Sequence, residues 1–78
     1  MFEKIKEEID FIRIYYLHIT NYYNYDELKQ NCFEILLYIN NTNTISDIEK
    51  VRLQDLVFRT YEDIINIWKY DTISKGDI

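Results

Sequence analysis

His18, Cys32 and a scatter of carboxylates are the side chains of this 78-residue chain most often recruited for chemistry. As a zinc ligand on a helix, His18 needs a second ligand three or four positions away. Those positions hold Ile14, Tyr15, Asn21 and Tyr22, none of them a usual one. As a general base it needs an orienting carboxylate, and none lies near it in sequence. Its expected place is within or beside an aromatic surface, where its protonation could make a contact pH-sensitive. Cys32 sits among Leu28, Ile35 and Leu36 with no cationic neighbour to stabilise a thiolate, so an inert buried thiol is expected. Glu62 and Asp63 are adjacent and so diverge on a helix. Glu3 and Glu7 share a face, but neither pair has the spacing of a known metal loop. There is no glycine-rich turn to cradle phosphate. The expectation is a protein that is not an enzyme, with no catalytic residue, metal site or cofactor.

Tyrosine carries more information. Tyr15, Tyr16, Tyr22, Tyr23 and Tyr25 crowd into eleven positions, and tyrosine supplies a large amphipathic contact area at low entropic cost. Read as a helix, Phe2, Ile5, Ile9, Ile12, Tyr16, Ile19 and Tyr23 recur at steps of three and four and form one stripe. Phe11, Ile14, Tyr15, His18 and Tyr22 form a second row on roughly the opposite side. A surface helix needs one apolar side, and this one has two over its C-terminal half. The second row is therefore the candidate partner-binding face.

Three helices must position these residues. The first is expected over about 3–22. The second, over 25–39, begins at a cap in which Asn24 stands three residues before Glu27, with Tyr23 and Leu28 placed as a hydrophobic staple. Its core stripe is Tyr25, Leu28, Cys32, Ile35, Leu36 and Ile39, widened by Phe33 and Leu37. The polar run from Asn40 to Thr44 ends it. The third helix, over 46–70, has two candidate caps, Thr44 before Asp47 and Ser46 before Glu49. Val51, Leu53, Val57, Phe58, Tyr61, Ile64, Ile65 and Trp68 form its broad apolar face, and Asp55 can pair with Arg59 on its wet face. Ile45 and Ile48 are expected to close one end of the bundle, and residues 71–78 to fray. The fold class is thus all-α, a small three-helix antiparallel bundle forming one domain over 1–78. Proline is absent and glycine occurs once, so nothing in the composition interrupts long helices.

Net charge narrows the function classes. At −5 the chain is unsuited to sequence-independent contact with nucleic acid or to an anionic membrane surface. On the third helix, Asp55, Glu62 and Asp63 alternate with Arg52 and Arg59 and would repel phosphates, so no direct nucleic-acid contact is expected. A lone cysteine, no run near the ~20 apolar residues of a membrane span, and a charged N-terminus unlike a secretory signal point to the cytoplasm. The partner class that remains is a protein with a basic surface. Compact acidic chains without catalytic groups, in the isoleucine- and asparagine-rich style of an AT-rich genome, suit phage- or plasmid-type antagonists of host defence, anti-CRISPR inhibitors among them. Such a protein would block a basic surface of a nucleic-acid enzyme from within the host-cell cytoplasm, as a homodimer joined through the second row of helix one. An immunity protein that neutralises a toxin, a small DNA-binding regulator and an assembly subunit are the alternatives.

Overall fold

Both internal helix starts follow from side chains three residues apart. In the computed structural model, which describes the backbone of residues 1–20 and 23–76 and the side chains as far as Asp71, α2 spans Tyr25–Asn41. The Asn24 Oδ1 accepts the Glu27 N–H at 3.0 Å, and Asn24 Nδ2 donates to the Glu27 carboxylate at 3.3 Å. Of the two possible caps for α3, Asp47–Gly76, Ser46 is the one used. Its Oγ accepts the Glu49 N–H at 3.2 Å while its own N–H donates to Glu49 Oε1 at 3.0 Å, a reciprocal capping box. Those backbone and hydroxyl donors hold the Glu49 carboxyl below its ordinary pKa. Helix α3 continues to Gly76, past the expected end at Tyr70. With no proline present and a single glycine at its very end, nothing in that stretch breaks it.

The result is an all-α three-helix bundle. Helix α1, Phe2–Ile14, and helix α2 each pack along α3 and hardly touch one another. The core is Ile5, Ile9, Ile12 and Tyr16 from the first segment, Leu28, Cys32 and Ile39 from α2, Ile45 from the loop, and Leu53, Val57, Ile64 and Trp68 from α3. These are positions at helical spacing, as the periodicity requires. Thr60 joins them, a buried residue that reading by hydrophobicity passes over. No buried side-chain nitrogen or oxygen among the described residues lacks a hydrogen-bond partner.

Several residues on the flanks of the expected stripes lie outside the core. Phe33 and Leu37 on α2, and Val51 and Phe58 on α3, are exposed, and Ile48 does not close the bundle end as Ile45 does. One cause is common to them. Because α1 and α2 each pack mainly on α3, no third neighbour covers the far flanks.

The first segment departs from an ideal helix after Ile14. Tyr15–Ile19 is a π-helical turn, in which the Thr20 N–H donates to the Tyr15 carbonyl at 2.9 Å, five residues back. This wider turn shifts the register, so Tyr16 stays buried while Ile19, expected inside, faces water. In an unbroken α-helix the Thr20 N–H would go to Tyr16. Instead the Trp68 indole N–H donates to the Tyr16 carbonyl at 3.3 Å, and the two rings meet edge to face at 5.8 Å. Tyr23 and Tyr25, expected in the core stripes, are exposed at their outer edges, with their rings 5.6 and 5.1 Å from Trp68. Helix one as expected ran on to residue 22; residues 21 and 22 lie outside the described part.

Replacing Trp68 by Phe keeps an aromatic ring but removes the only N–H of the indole, leaving a buried carbonyl with one donor fewer. Urea unfolding followed by circular dichroism should show a loss of about 1–3 kcal/mol. Burial pushes the Cys32 thiol up to about 11, so Ellman's reagent should react with native protein only at the rate of unfolding. Rapid labelling at neutral pH would contradict that burial.

Candidate protein-binding site

The spacing that places the core also places two stripes just beside it. On α1 and the turn after it, Met1, Lys4, Glu8, Phe11 and Tyr15 recur at steps of three and four, and on α2 Glu27, Asn31, Glu34 and Tyr38 do the same. Because the two helices rest on α3 and hardly touch each other, these stripes become the walls of a groove of about 850 Å³. Its floor is Ile5, Ile12, Tyr16 and Ile35, and its mouth carries Met1, Phe11, Tyr15 and Tyr38. Phe11 and Tyr15 stack with ring centres 6.2 Å apart, and Tyr15 meets Tyr16 edge to face at 5.0 Å. At one end the Tyr38 hydroxyl lies 3.5 Å from the Met1 sulfur. A second hollow of about 540 Å³ adjoins the other end across Tyr15, Tyr16 and Glu27.

The rim is strongly acidic. Glu7, Glu8, Glu27 and Glu34 stand around the apolar floor against a single Lys4. At the end shared with the second hollow, the Tyr16 hydroxyl donates to Glu27 Oε1 at 2.9 Å and accepts from the Asn31 amide. Glu27 thus caps α2 and anchors the end of the first segment at once. Burial of Tyr16, followed by its hydrogen bond to the Glu27 carboxylate and that group's negative charge, pushes the phenol up to about 12. On the opposite side, Arg13 pairs with Asp63 of α3 at 2.6 Å. That pair is half exposed and contributes at most about 1 kcal/mol.

The five residues of the second row separate in the structure. Phe11 and Tyr15 line the groove, Phe11 well exposed and Tyr15 half-buried. Ile14 and His18 are exposed but lie outside the lining, and Tyr22 is outside the described residues. The groove thus takes in two of the five, Phe11 and Tyr15. Of the groove's other members, Ile35 belongs to the expected core stripe of α2, whereas Tyr38 and the four glutamates escape a reading by hydrophobicity because charged and amphipathic positions count there as wet surface. Their signal was the three-four recurrence one step off the core. Among the described residues, no group of three His, Cys, Asp or Glu side chains is placed to hold a metal ion. No helix there is long and apolar enough to cross a membrane.

Tyr16→Phe should cost about 1–2 kcal/mol near neutral pH through the lost hydrogen bond. A folded-state pKa above the unfolded value of about 10 means that this contribution is intact below pH 10 and is lost as the pH climbs through about 12. Unfolding free energies of wild type and variant should therefore converge across that alkaline window. A constant gap would show that the phenol is not held as described. Comparison of the chain with protein-family models, characterised proteins and solved structures gave no match.

Proposed function

We propose that this protein is a non-catalytic binding module that antagonises a partner protein by occupying one of its basic surfaces, and that the α1–α2 groove is the face it uses. The observation that carries this is the coincidence, in one place, of an apolar floor, two exposed aromatic rings and four carboxylates against one lysine. The occupant that fits is an amphipathic helix with Leu- or Phe-type anchors on one side and Lys or Arg on the other. From Met1 to Tyr16 the groove follows about 22 Å of helix axis, room for about four turns of such a segment. Its cations would reach the glutamates while its anchors displace water from Phe11, Tyr15 and Tyr38. Proteins that act on nucleic acid must carry basic surfaces to bind phosphate, so they are the natural partner class. An anti-CRISPR-like antagonist of phage or plasmid origin, acting in the host-cell cytoplasm, is the setting we infer.

A synthetic helical peptide with leucines at i, i+4 and i+7 and lysines elsewhere should bind, and its glutamate-for-lysine counterpart should not. Phe11→Asp with Tyr15→Asp should abolish binding without loss of helicity. Glu7→Gln with Glu8→Gln should weaken it about tenfold, mainly through slower association, with a shallower salt dependence. Duplex DNA titrated at low salt should not bind. Equal binding of both peptides, or DNA binding, would overturn the proposal.

A further inference from the structure

The smaller hollow of about 540 Å³ at the groove's end is lined by Tyr15, Tyr16, Tyr23 and Tyr25, half of the chain's eight tyrosines. Two local devices bring them together. The π-turn delivers Tyr15 and Tyr16, whose rings meet edge to face at 5.0 Å. Tyr23 and Tyr25 flank the Asn24 cap, where φ of −92° and ψ of 90° are extended and put residues two apart on one side. Both rings accordingly lie against Trp68, and each residue keeps more than a third of its surface in water. The first turn of α2 adds two carboxylates, Asp26 and Glu27, and no lysine, arginine or histidine lines the hollow among the described residues. The positive end of α2 also lies there, and by itself it favours an anion. Its equivalent charge of about half a unit is outweighed by two full negative charges, so the sign of the hollow suits a cation. Glu27 is already engaged, Oε1 by the Tyr16 hydroxyl and Oε2 by the Asn24 amide. Asp26 is the exposed carboxylate beside it.

We propose that this hollow is a guanidinium site, filled by an arginine side chain of the helix that occupies the groove. The source of the arginine rests on the groove reading above; the site itself does not. A cation within about 6 Å of an aromatic ring centre is attracted to its face, and arginine is used in this way more often than lysine. The guanidinium is planar and weakly hydrated, so it lies on rings at less cost than a lysine ammonium. It also carries five N–H donors, so the Asp26 carboxylate can accept two while the rings meet its plane. A quaternary ammonium has no donor to offer either carboxylate. Tyr15, Tyr16 and Glu27 line the groove and the hollow alike, so the two are contiguous. An arginine in the end turn of a helix lying along α1 stands at that shared wall. The groove's one lysine, Lys4, is about three turns of α1 away and does not offset the charge there. The π-turn fits this assignment, because such turns recur at functional sites and this one supplies two of the four rings.

N-acetylarginine amide titrated into the full chain and followed by NMR tests the site without any partner. The ring resonances of Tyr15, Tyr23 and Tyr25 should shift saturably. The citrulline amide, of the same shape but neutral, and tetramethylammonium should each bind about tenfold more weakly. Asp26→Asn, an exposed change, should weaken the arginine amide about fivefold with an unchanged circular dichroism spectrum. In a second arm, the leucine–lysine helix receives one arginine in its first or its last turn. One of the two versions should bind about tenfold more tightly than its citrulline counterpart, and Asp26→Asn should remove that gain. Equal binding of the three small probes, or shifts confined to the groove glutamates, would overturn the guanidinium site. Peptides that bind with no preference for arginine would overturn the inference and leave the groove reading standing. Arginine amide that binds while no peptide does would overturn the groove reading and support the site.

Discussion

The Trp68 indole reaches the Tyr16 carbonyl across 52 positions of chain and meets it where the first segment widens into a π-turn. Around that one hydrogen bond the rest of the bundle is arranged. The Tyr16 ring packs edge to face on Trp68, its hydroxyl runs to Glu27, and Glu27 shares the Asn24 cap of α2. Tyr25, at the first position of α2, lies on the same indole. All three helical segments are therefore joined at one end of the molecule through three aromatic residues and one carboxylate. A π-turn is uncommon because it disturbs the regular ladder of backbone bonds. Here an indole donor from α3 compensates the carbonyl that the ladder gives up.

Away from that end α1 and α2 rest on α3 and hardly on each other, and that arrangement shapes the surface. Helix α3 is the common support, so α1 and α2 compete for its apolar face rather than for each other. Two consequences follow from the same geometry. The gap between α1 and α2 exposes a floor of isoleucines and a mouth of aromatic rings. The outer flank of α2 and α3, with no third helix over it, leaves Phe33, Leu37, Val51 and Phe58 in water. An all-α domain this small, with extents of 50 × 19 × 18 Å, has too little chain to cover both.

Charge separates these two apolar surfaces more sharply than hydrophobicity does. The groove gathers glutamates from two helices, while the charges within a turn of Phe33 and Phe58 are mixed in sign. A net charge of −5 is thus not spread evenly over the molecule. Like-charge crowding at a rim costs little while the carboxylates are solvated, and it rewards a cationic guest once water is displaced.

Local chemistry determined much of this fold from the sequence alone. Isoleucines at steps of three and four placed the inner face of α1, the Asn24–Glu27 spacing placed the start of α2, and Cys32 was assigned to the interior. Each is a relation within one turn of helix, where geometry is invariant. The Ser46 and Thr44 caps of α3 were both legible, and only the folded chain chose between them. What the sequence could not decide were residues on the flanks of a stripe. Ile19, Phe33, Val51 and Phe58 read as core, yet whether a neighbour covers them depends on how far apart the helices stand. That separation is set by contacts between distant parts of the chain, as is the π-turn that carries Ile19 outward. The groove shows the same division: its residues are spaced by the helix, but α3 holds its walls apart.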